Sequence, residues 1–226
     1  MDDSVLRKSL NSKKPKGDSS FKGTILIPDI SGFTKFVTET EFAAGREITR
    51  QLLQVIINNN ILNLKISEIE GDAVLFYIKD SLTPIQIKDQ YEIMLEKFRE
   101  KVKELSVQNG FKINLSLKLI AHYGEISNYF ISDFEKLYGK AVIEAHELLK
   151  NSIKSKSYFL ITDSLFNANE KKFAGTCYYA GSQLCEIYGD LKKIGYAYFD
   201  YKENKNVRVI KPVDEILNEE VGELSF

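Results

Sequence analysis

Two aspartates in this sequence, Asp29 and Asp72, stand where carboxylates could bind metal and phosphate together. Asp29 closes the run Ile25-Leu26-Ile27-Pro28-Asp29, whose continuous apolar residues are typical of a central strand buried on both faces. A Ser-Gly-Phe-Thr turn follows directly and leads into a helical pattern. A carboxylate at this point can hold a divalent cation, while the free backbone N–H groups that open the helix face anionic oxygens.

The second aspartate lies in a predicted hairpin. Residues 65–69 and 73–77 both have the pattern of strands, and only Glu70-Gly71-Asp72 separates them. Gly71 supplies the backbone freedom that such a tight turn needs. If the hairpin pairs beside the first strand, Asp29 and Asp72 meet, and two carboxylates at adjacent strand ends are the usual minimum for a pair of Mg²⁺ ions. The simpler alternative is that Asp29 caps the following helix and Asp72 fills a turn.

The elements that must position these residues follow one another in a clear order. Apolar spacing predicts a helix over residues 41–62 and another from Pro84 to about residue 107. Residues 112–121 alternate as a strand, which His122-Tyr123-Gly124-Glu125 is expected to close. The resulting βαββαβ order predicts an α+β fold, an α/β sandwich with an elaborated ferredoxin-like core. Further along we expect a helix over 139–151, a strand over 157–162 and a hairpin of 183–188 with 192–201.

Composition divides the chain into three parts. Residues 1–20 are polar and rich in Lys and Ser, so we interpret them as a flexible N-terminal tail. Residues 21–202 are expected to form the folded domain, and residues 203–226 an acidic C-terminal appendage. At 43% hydrophobic residues, the chain can bury one large core.

Charge and cysteine content narrow the classes of function. The 31 basic and 32 acidic residues give a net charge of −1, so no global field indicates nucleic-acid binding. The two cysteines are too few for a secreted disulfide scaffold, and the N-terminus does not resemble a signal peptide. No apolar run approaches the roughly 20 residues that span a bilayer. We therefore expect a cytoplasmic protein without a membrane span.

The two aspartate motifs together resemble the catalytic domain of class III nucleotidyl cyclases. The matching segments are Ile27-Pro28-Asp29-Ile30-Ser31-Gly32-Phe33-Thr34 and Glu68-Ile69-Glu70-Gly71-Asp72-Ala73-Val74. The resemblance covers roughly residues 21–202 in outline and is strong only at these two segments. It implies a homodimer that binds a nucleoside triphosphate, with a purine base favoured, and two ions of Mg²⁺ or Mn²⁺.

The resemblance also assigns roles to residues. It implies that Asp29, Asp72 and the backbone of Ile30 bind the metal ions, which carry the triphosphate and activate the ribose 3′-hydroxyl. Phosphate-binding positions fall on Ser31, Gly32, Phe33 and Thr34, and on Lys192 or Lys193, for which a solvated hairpin lysine is the alternative. His122 falls in a family segment too, but a structural role at the strand exit is the preferred interpretation.

The base-selecting positions of the family are unusual in this chain. Glu68 stands where guanylyl cyclases have Glu, and Lys136 stands where adenylyl cyclases usually have Asp. Glu68 can accept hydrogen bonds from guanine, or it can form an ion pair with Lys136. Both interpretations remain open from the sequence.

The chain departs from the family at the helix that supplies an Asn and an Arg across the dimer. These positions fall on Ile143 and Glu147, and there is no arginine between Arg99 and Arg208. An arginine there stabilises charge on the phosphates, and lysine lacks its planar fork. The sequence therefore leaves three hypotheses: a divergent cyclase with weak turnover, a degenerate cyclase-like module that binds nucleotide or only dimerises in signalling, and an unrelated ferredoxin-like hydrolase using the same metals.

Overall fold

Strand β1 (Phe21–Ser31) lies inside the sheet because its side chains are apolar on both faces. A computed structural model describes residues 20–169, 184–186 and 194–201 of the chain. Leu26 and Ile30 of β1 pack into one core, and Ile25 and Ile27 pack into a second core on the opposite face. All four side chains are buried, as the sequence predicts for a central strand.

The remaining strands and the helices follow in a regular alternation. The strands are β2 (Lys65–Glu70), β3 (Ala73–Ile78), β4 (Ser116–Ile131), β5 (Phe134–Tyr138), β6 (Tyr158–Thr162), β7 (Leu184–Glu186) and β8 (Ile194–Asp200). The helices are α1 (Phe33–Glu39), α2 (Phe42–Asn58), α3 (Pro84–Asn109), α4 (Lys140–Glu147) and α5 (Asp163–Asn169), and the 3₁₀ turn Leu148–Lys150 extends α4.

Within the described residues, the strands form one sheet in the order β2-β3-β1-β4-β6-β8-β7, with β5 paired to β4. Neighbouring strands are antiparallel except β4 and β6, which are parallel. Helices α2, α3 and α5 cover the face of Leu26, and α4 covers the face of Ile25. The first four strands and two long helices have the order of a ferredoxin-like core. This confirms the α+β fold predicted from the sequence.

Local signals fix helix α3 and the hairpin that carries Asp72. Helix α3 begins with a capping box, in which the Thr83 side chain accepts from Gln86 N and the Gln86 side chain accepts from Thr83 N. It ends at Gly110, which adopts the left-handed conformation at φ 72°. The turn between β2 and β3 likewise uses Gly71 at φ 59°.

The predicted end of the strand at residues 122–125 is wrong. His122–Glu125 does not close a strand, because β4 continues without interruption to Ile131. Ile25 pairs with His122 and Phe21 pairs with Ile126, so β1 holds this part of β4 in the sheet. Beyond it, Ser127 to Ile131 pair with β5, and the two strands form an arm over residues 127–138.

The predicted bounds of the folded domain lie near the limits of the described residues. Residues 1–19 and 202–226 lie outside the described residues, as does the connection between the two strands of the hairpin predicted over 183–188 and 192–201. Ser20 is described, and its hydroxyl donates to Glu125 Oε1 at 2.6 Å. The division at residues 20 and 203 therefore stays a prediction. None of the helices in the described ranges is long and apolar enough to cross a membrane.

Candidate functional site

The structure brings the carboxylates of Asp29 and Asp72 together. Asp29 lies near the end of β1, opposite Ala73 of β3, and its side chain is 13% exposed. Asp72 lies in the turn that precedes Ala73, and the Ile30 N–H donates to its carbonyl oxygen at 3.2 Å. The two carboxylates lie against each other at the edge of one cavity, where the charge of Asp29 acts on Asp72. The pairing of β3 with β1 thus produces the juxtaposition that the two sequence motifs predict.

This contact is electrostatically costly. Burial, followed by the negative charge and hydrogen bond of Asp29, raises the pKa of Asp72 to about 7. Two carboxylates in contact cannot both ionise without a compensating cation. The alternative that Asp29 caps the following helix does not hold, because α1 has Gly32 as its N-cap and no side chain caps it.

Lys118 supplies part of the compensation. This residue of β4 lies directly opposite Asp29 in the strand register. Its Nζ atom is 3.1 Å from Asp29 Oδ2 and donates to the Leu149 carbonyl oxygen at 3.2 Å. Sequence reasoning missed Lys118. The available signal was the alternation of residues 112–118, which places a lysine on the polar face of the strand next to Asp29.

A cavity of about 440 Å³ opens beside the carboxylate pair. Its charged and titratable lining residues are Asp29, Glu68, Glu70, Asp72, His146 and Lys150. Helix α4 and the 3₁₀ turn after it form one wall, and the β2–β3 hairpin forms the other. Four carboxylates face two basic side chains, so the cavity favours a ligand that arrives with cations.

The predicted base-selecting residues form an ion pair. Lys136 Nζ on β5 donates to Glu68 Oε2 on β2, and this hydrogen bond raises the pKa of Lys136. The other oxygen of Glu68 lies 3.5 Å from His146 Nε2 on α4. Of the two interpretations left open by the sequence, the structure therefore contains the pairing of Glu68 with Lys136.

The two positions at which the chain departs from the cyclase pattern lie on α4. Ile143 is exposed, and Glu147 pairs with Lys150, with 3.0 Å between Oε1 and Nζ. Neither residue is part of the cavity lining, whereas Lys150 is. The lysine that this wall contributes to the cavity lining is thus partly neutralised by Glu147.

The predicted phosphate-binding residues are only partly described. Ser31, Gly32, Phe33 and Thr34 form the passage from β1 into α1, and Gly32 turns the chain at φ 90°. A Cβ atom on Gly32 would lie 3.1 Å from the Asn114 carbonyl oxygen, so a side chain there would be both strained and crowded. Lys192 and Lys193 lie outside the described residues.

His122 is a buried structural residue of β4. It is 3% exposed, with Nδ1 at 3.0 Å from Thr162 Oγ1 and Nε2 at 3.1 Å from Glu144 Oε2. The hydrogen bond from His122, together with Lys140, holds the pKa of Glu144 at about 2. This network fastens α4 to the sheet, which agrees with a structural role for His122.

The two carboxylates of Asp29 and Asp72 fit a metal ion whose remaining ligands are water and phosphate oxygens. In the part of the chain that the structure describes, no three His, Cys, Asp or Glu side chains converge on one point. Mg²⁺ is commonly held by only one or two carboxylates, with water and substrate phosphate completing its six oxygen ligands. The mutual repulsion of the two carboxylates is the kind of charge imbalance that such an ion relieves.

Comparison with known sequences gives matches over about half of the chain. Residues 49–158 match the family described as "Protein of unknown function (DUF2652)". A relative from Mycobacterium tuberculosis (strain ATCC 25618 / H37Rv), "Uncharacterized protein Rv2561/Rv2562", is 28% identical over 120 residues. That alignment covers 50% of this chain and 56% of the relative, so the chain spans about half of the relative's length.

Comparison with solved structures identifies the fold. The adenylyl cyclase CyaB from P. aeruginosa superimposes with a TM-score of 0.63 at 18% identity, over 83% of this chain and 98% of that one. The guanylyl cyclase Cya2 gives 0.62 at 14% identity, over 86% and 100%. The guanylate cyclase domain of RhGC from Catenaria anguillulae, solved in complex with GTP, gives 0.54 at 16% identity, over 80% and 97%. The chain therefore has the fold of a nucleotidyl cyclase catalytic domain.

Proposed function

We propose that this domain binds a nucleoside triphosphate together with divalent ions, Mg²⁺ or Mn²⁺, at Asp29 and Asp72. The observation that carries the proposal is the contact between these two carboxylates, which raises the pKa of Asp72 and is only partly offset by Lys118. A cation bound between them removes the repulsion, and phosphate oxygens complete the coordination of that cation. The fold shared with adenylyl and guanylyl cyclases supports the same assignment.

The adjoining cavity is suited to such a ligand. Its volume of about 440 Å³ lies within the usual range of roughly 300–1,000 Å³ for small-molecule sites. Divalent ions, when bound, neutralise phosphate charge and make the ribose 3′-hydroxyl more acidic. The chain's own part is to present the two carboxylates from the end of β1 and from the β2–β3 turn, and to keep Lys118 directed at Asp29.

The reaction class that we infer is cyclisation of the nucleotide. The ribose 3′-oxygen forms a bond to the α-phosphorus, the bond from that phosphorus to the bridging oxygen breaks, and pyrophosphate leaves. The proton of the 3′-hydroxyl passes to solvent. We expect this turnover to be weak, because Ile143 and Glu147 offer neither a hydrogen-bond donor for the ribose nor a cation for the phosphates.

A second candidate function is nucleotide binding without turnover in a signalling dimer. The ion pair of Glu147 with Lys150 favours it, since the carboxylate repels a triphosphate and pairs with the lysine that lines the cavity. By analogy with arginine fingers, loss of such a cation costs about 10³–10⁵ in rate. The two candidates share one binding site and differ only in whether product forms.

Incubating the purified chain with each nucleoside triphosphate and Mn²⁺, followed by mass spectrometry of the products, tests the proposal. We expect little cyclic nucleotide from the wild type and none from Asp72→Asn. The double variant Ile143→Asn with Glu147→Arg should form more, because it restores both missing side chains. Product that forms equally in Asp72→Asn would contradict the assignment of the site, and release of inorganic phosphate without cyclic product would favour the hydrolase alternative.

A further inference from the structure

Three charged or polar side chains from three different elements meet where two of them line the cavity. They are Glu68 of β2, Lys136 of β5 and His146 of α4, and we call them the Glu68 cluster. Lys136 donates to Oε2 of Glu68, and His146 Nε2 lies 3.5 Å from Oε1. Both carboxylate oxygens of Glu68 therefore face a nitrogen atom of this same chain.

This pairing determines what Glu68 can offer a ligand. An ionised carboxylate only accepts hydrogen bonds, and guanine would be recognised through its N1–H and exocyclic amine. A site discriminates strongly between ligands when the wrong one leaves a buried polar group of the protein unpaired. Glu68 is already paired without a ligand, so a base that offers no donor leaves nothing unsatisfied.

The carboxylate pair at Asp29 and Asp72 shows the opposite arrangement. Among the described residues its charge is only partly compensated, as Lys118 contacts Asp29 while Asp72 lies beside Asp29 in the same cavity. The unmet interaction in this cavity is thus at the end that would receive metal and phosphate. The end that would receive a base is satisfied internally.

We propose that this site recognises the metal–triphosphate part of its ligand and does not select the base. The ligand class is then any nucleoside triphosphate, and inorganic triphosphate as well. This inference rests on the proposed function, since it assumes that Asp29 and Asp72 hold the metal–phosphate group. The purine preference implied by the sequence resemblance should appear only when the Glu68 cluster is broken.

Calorimetric titration with ligands that cannot cyclise tests the inference on the wild-type chain. The probes are the Mg²⁺ complexes of 3′-deoxy-ATP, 3′-deoxy-GTP, 3′-deoxy-CTP and inorganic triphosphate. We expect their dissociation constants to agree within about threefold, and a preference of about tenfold or more for one base would overturn the inference. This comparison needs no variant and so does not depend on a substitution being tolerated.

Breaking the ion pair gives a second test. Lys136→Met frees Glu68 Oε2, and a hydrogen bond to a charged acceptor should then favour 3′-deoxy-GTP by about tenfold or more. Lys88→Met is the matched control: Lys88 is 40% exposed against 41% for Lys136, and it pairs with Glu92 on α3, away from the cavity. It should leave the four constants unchanged. A Lys136→Met protein that stays indifferent to the base would overturn the role assigned to this ion pair.

The same titrations separate the two proposals. Binding that depends on Asp72 but selects one base contradicts only the present inference. Absence of binding by all four probes contradicts the proposed function and the inference with it. Binding of all four with similar constants, lost in Asp72→Asn, supports both.

Discussion

Asp72 is the residue at which the requirements of folding and of the proposed ligand conflict most directly. It occupies a turn where an exposed polar residue would be expected, yet it is held against Asp29 and half-buried. The hairpin register brings this about, since Ile30 N–H donates to the Asp72 carbonyl oxygen and fixes the turn beside β1. A carboxylate kept in such a position costs folding energy, and natural proteins retain costs of this kind mostly at functional sites.

Glu144 shows the opposite shift and predicts how stability depends on pH. Its pKa in the folded chain is about 2, against an ordinary value of 4.5, mainly because of its hydrogen bond with His122. A depressed carboxyl pKa contributes stability that is fully present above about pH 4.5 and is lost as the pH falls toward about 2. We therefore expect Glu144→Gln to be less stable than the wild type near neutral pH, and the difference to shrink in acid.

Urea denaturation of both proteins at about pH 6, 4 and 3 checks this prediction. The slope of the free energy of unfolding against denaturant should be the same in both, so that the midpoints can be compared directly. A difference between wild type and Glu144→Gln that stays constant across the pH range would show that the carboxylate charge is not what holds α4 to the sheet.

At the scale of elements, helix α4 packs closely against the sheet at Gly124. A Cβ atom at this position would meet the Cβ of Ala141 at 2.7 Å, so α4 can lie on β4 only because residue 124 has no side chain. Gly124→Ala should lower the free energy of unfolding by about 1–3 kcal/mol, which is typical of overpacking in a core. Helix α4 also carries His146, so the cavity wall should move with it.

The compensating variant gives the control for this prediction. Ala141→Gly removes the methyl group that Gly124→Ala would meet, at a cost of about 1 kcal/mol for glycine inside a helix. The double variant should therefore be about 1 kcal/mol less stable than the wild type, however large the loss in Gly124→Ala, as measured by chemical denaturation. If Gly124→Ala alone is as stable as the wild type, the packing of α4 does not depend on this glycine.

The same glycine explains where sequence reasoning failed. Tyr123-Gly124 has the appearance of a strand end, but the glycine leaves room for α4, and only the three-dimensional structure shows that α4 packs there.

The contact of Asp29 with Asp72 was predictable, because an apolar run and a tight hairpin are both local signals. Lys118 and the Glu68 cluster were harder to predict. Lys118 reaches Asp29 through the β1–β4 register, and Lys136 reaches Glu68 through the return of β5, which are pairings between residues far apart in sequence.

At the scale of the whole molecule, the β4–β5 arm presents an apolar surface. Phe130 and Phe134 are 63% and 74% exposed, and Tyr129, Ile131 and Tyr138 are exposed beside them. Contiguous exposed apolar residues commonly mark an interaction surface. Together with the homodimer implied by the sequence resemblance, this arm is where we expect two copies of the chain to meet.

Sedimentation velocity over a range of concentrations tests the expectation of a dimer. Phe134→Glu should weaken self-association by about tenfold or more, since a charge would be buried where an apolar anchor was. Phe42→Glu is a matched control, because Phe42 is 81% exposed at the start of α2, away from the arm. A chain that is monomeric at all concentrations, or a dimer that Phe134→Glu leaves intact, would contradict this placement of the interface.

The most direct test of the central claim is a calorimetric measurement of how Mg²⁺·3′-deoxy-ATP binds to the wild type, to Asp29→Asn and to Asp72→Asn. Asp80→Asn, in the exposed loop between β3 and α3, controls for the loss of a carboxylate elsewhere. We predict Mg²⁺-dependent binding by the wild type and by Asp80→Asn, and none by the two site variants. Binding by Asp29→Asn and Asp72→Asn with the affinity of the wild type would show that these carboxylates do not hold the metal–triphosphate group.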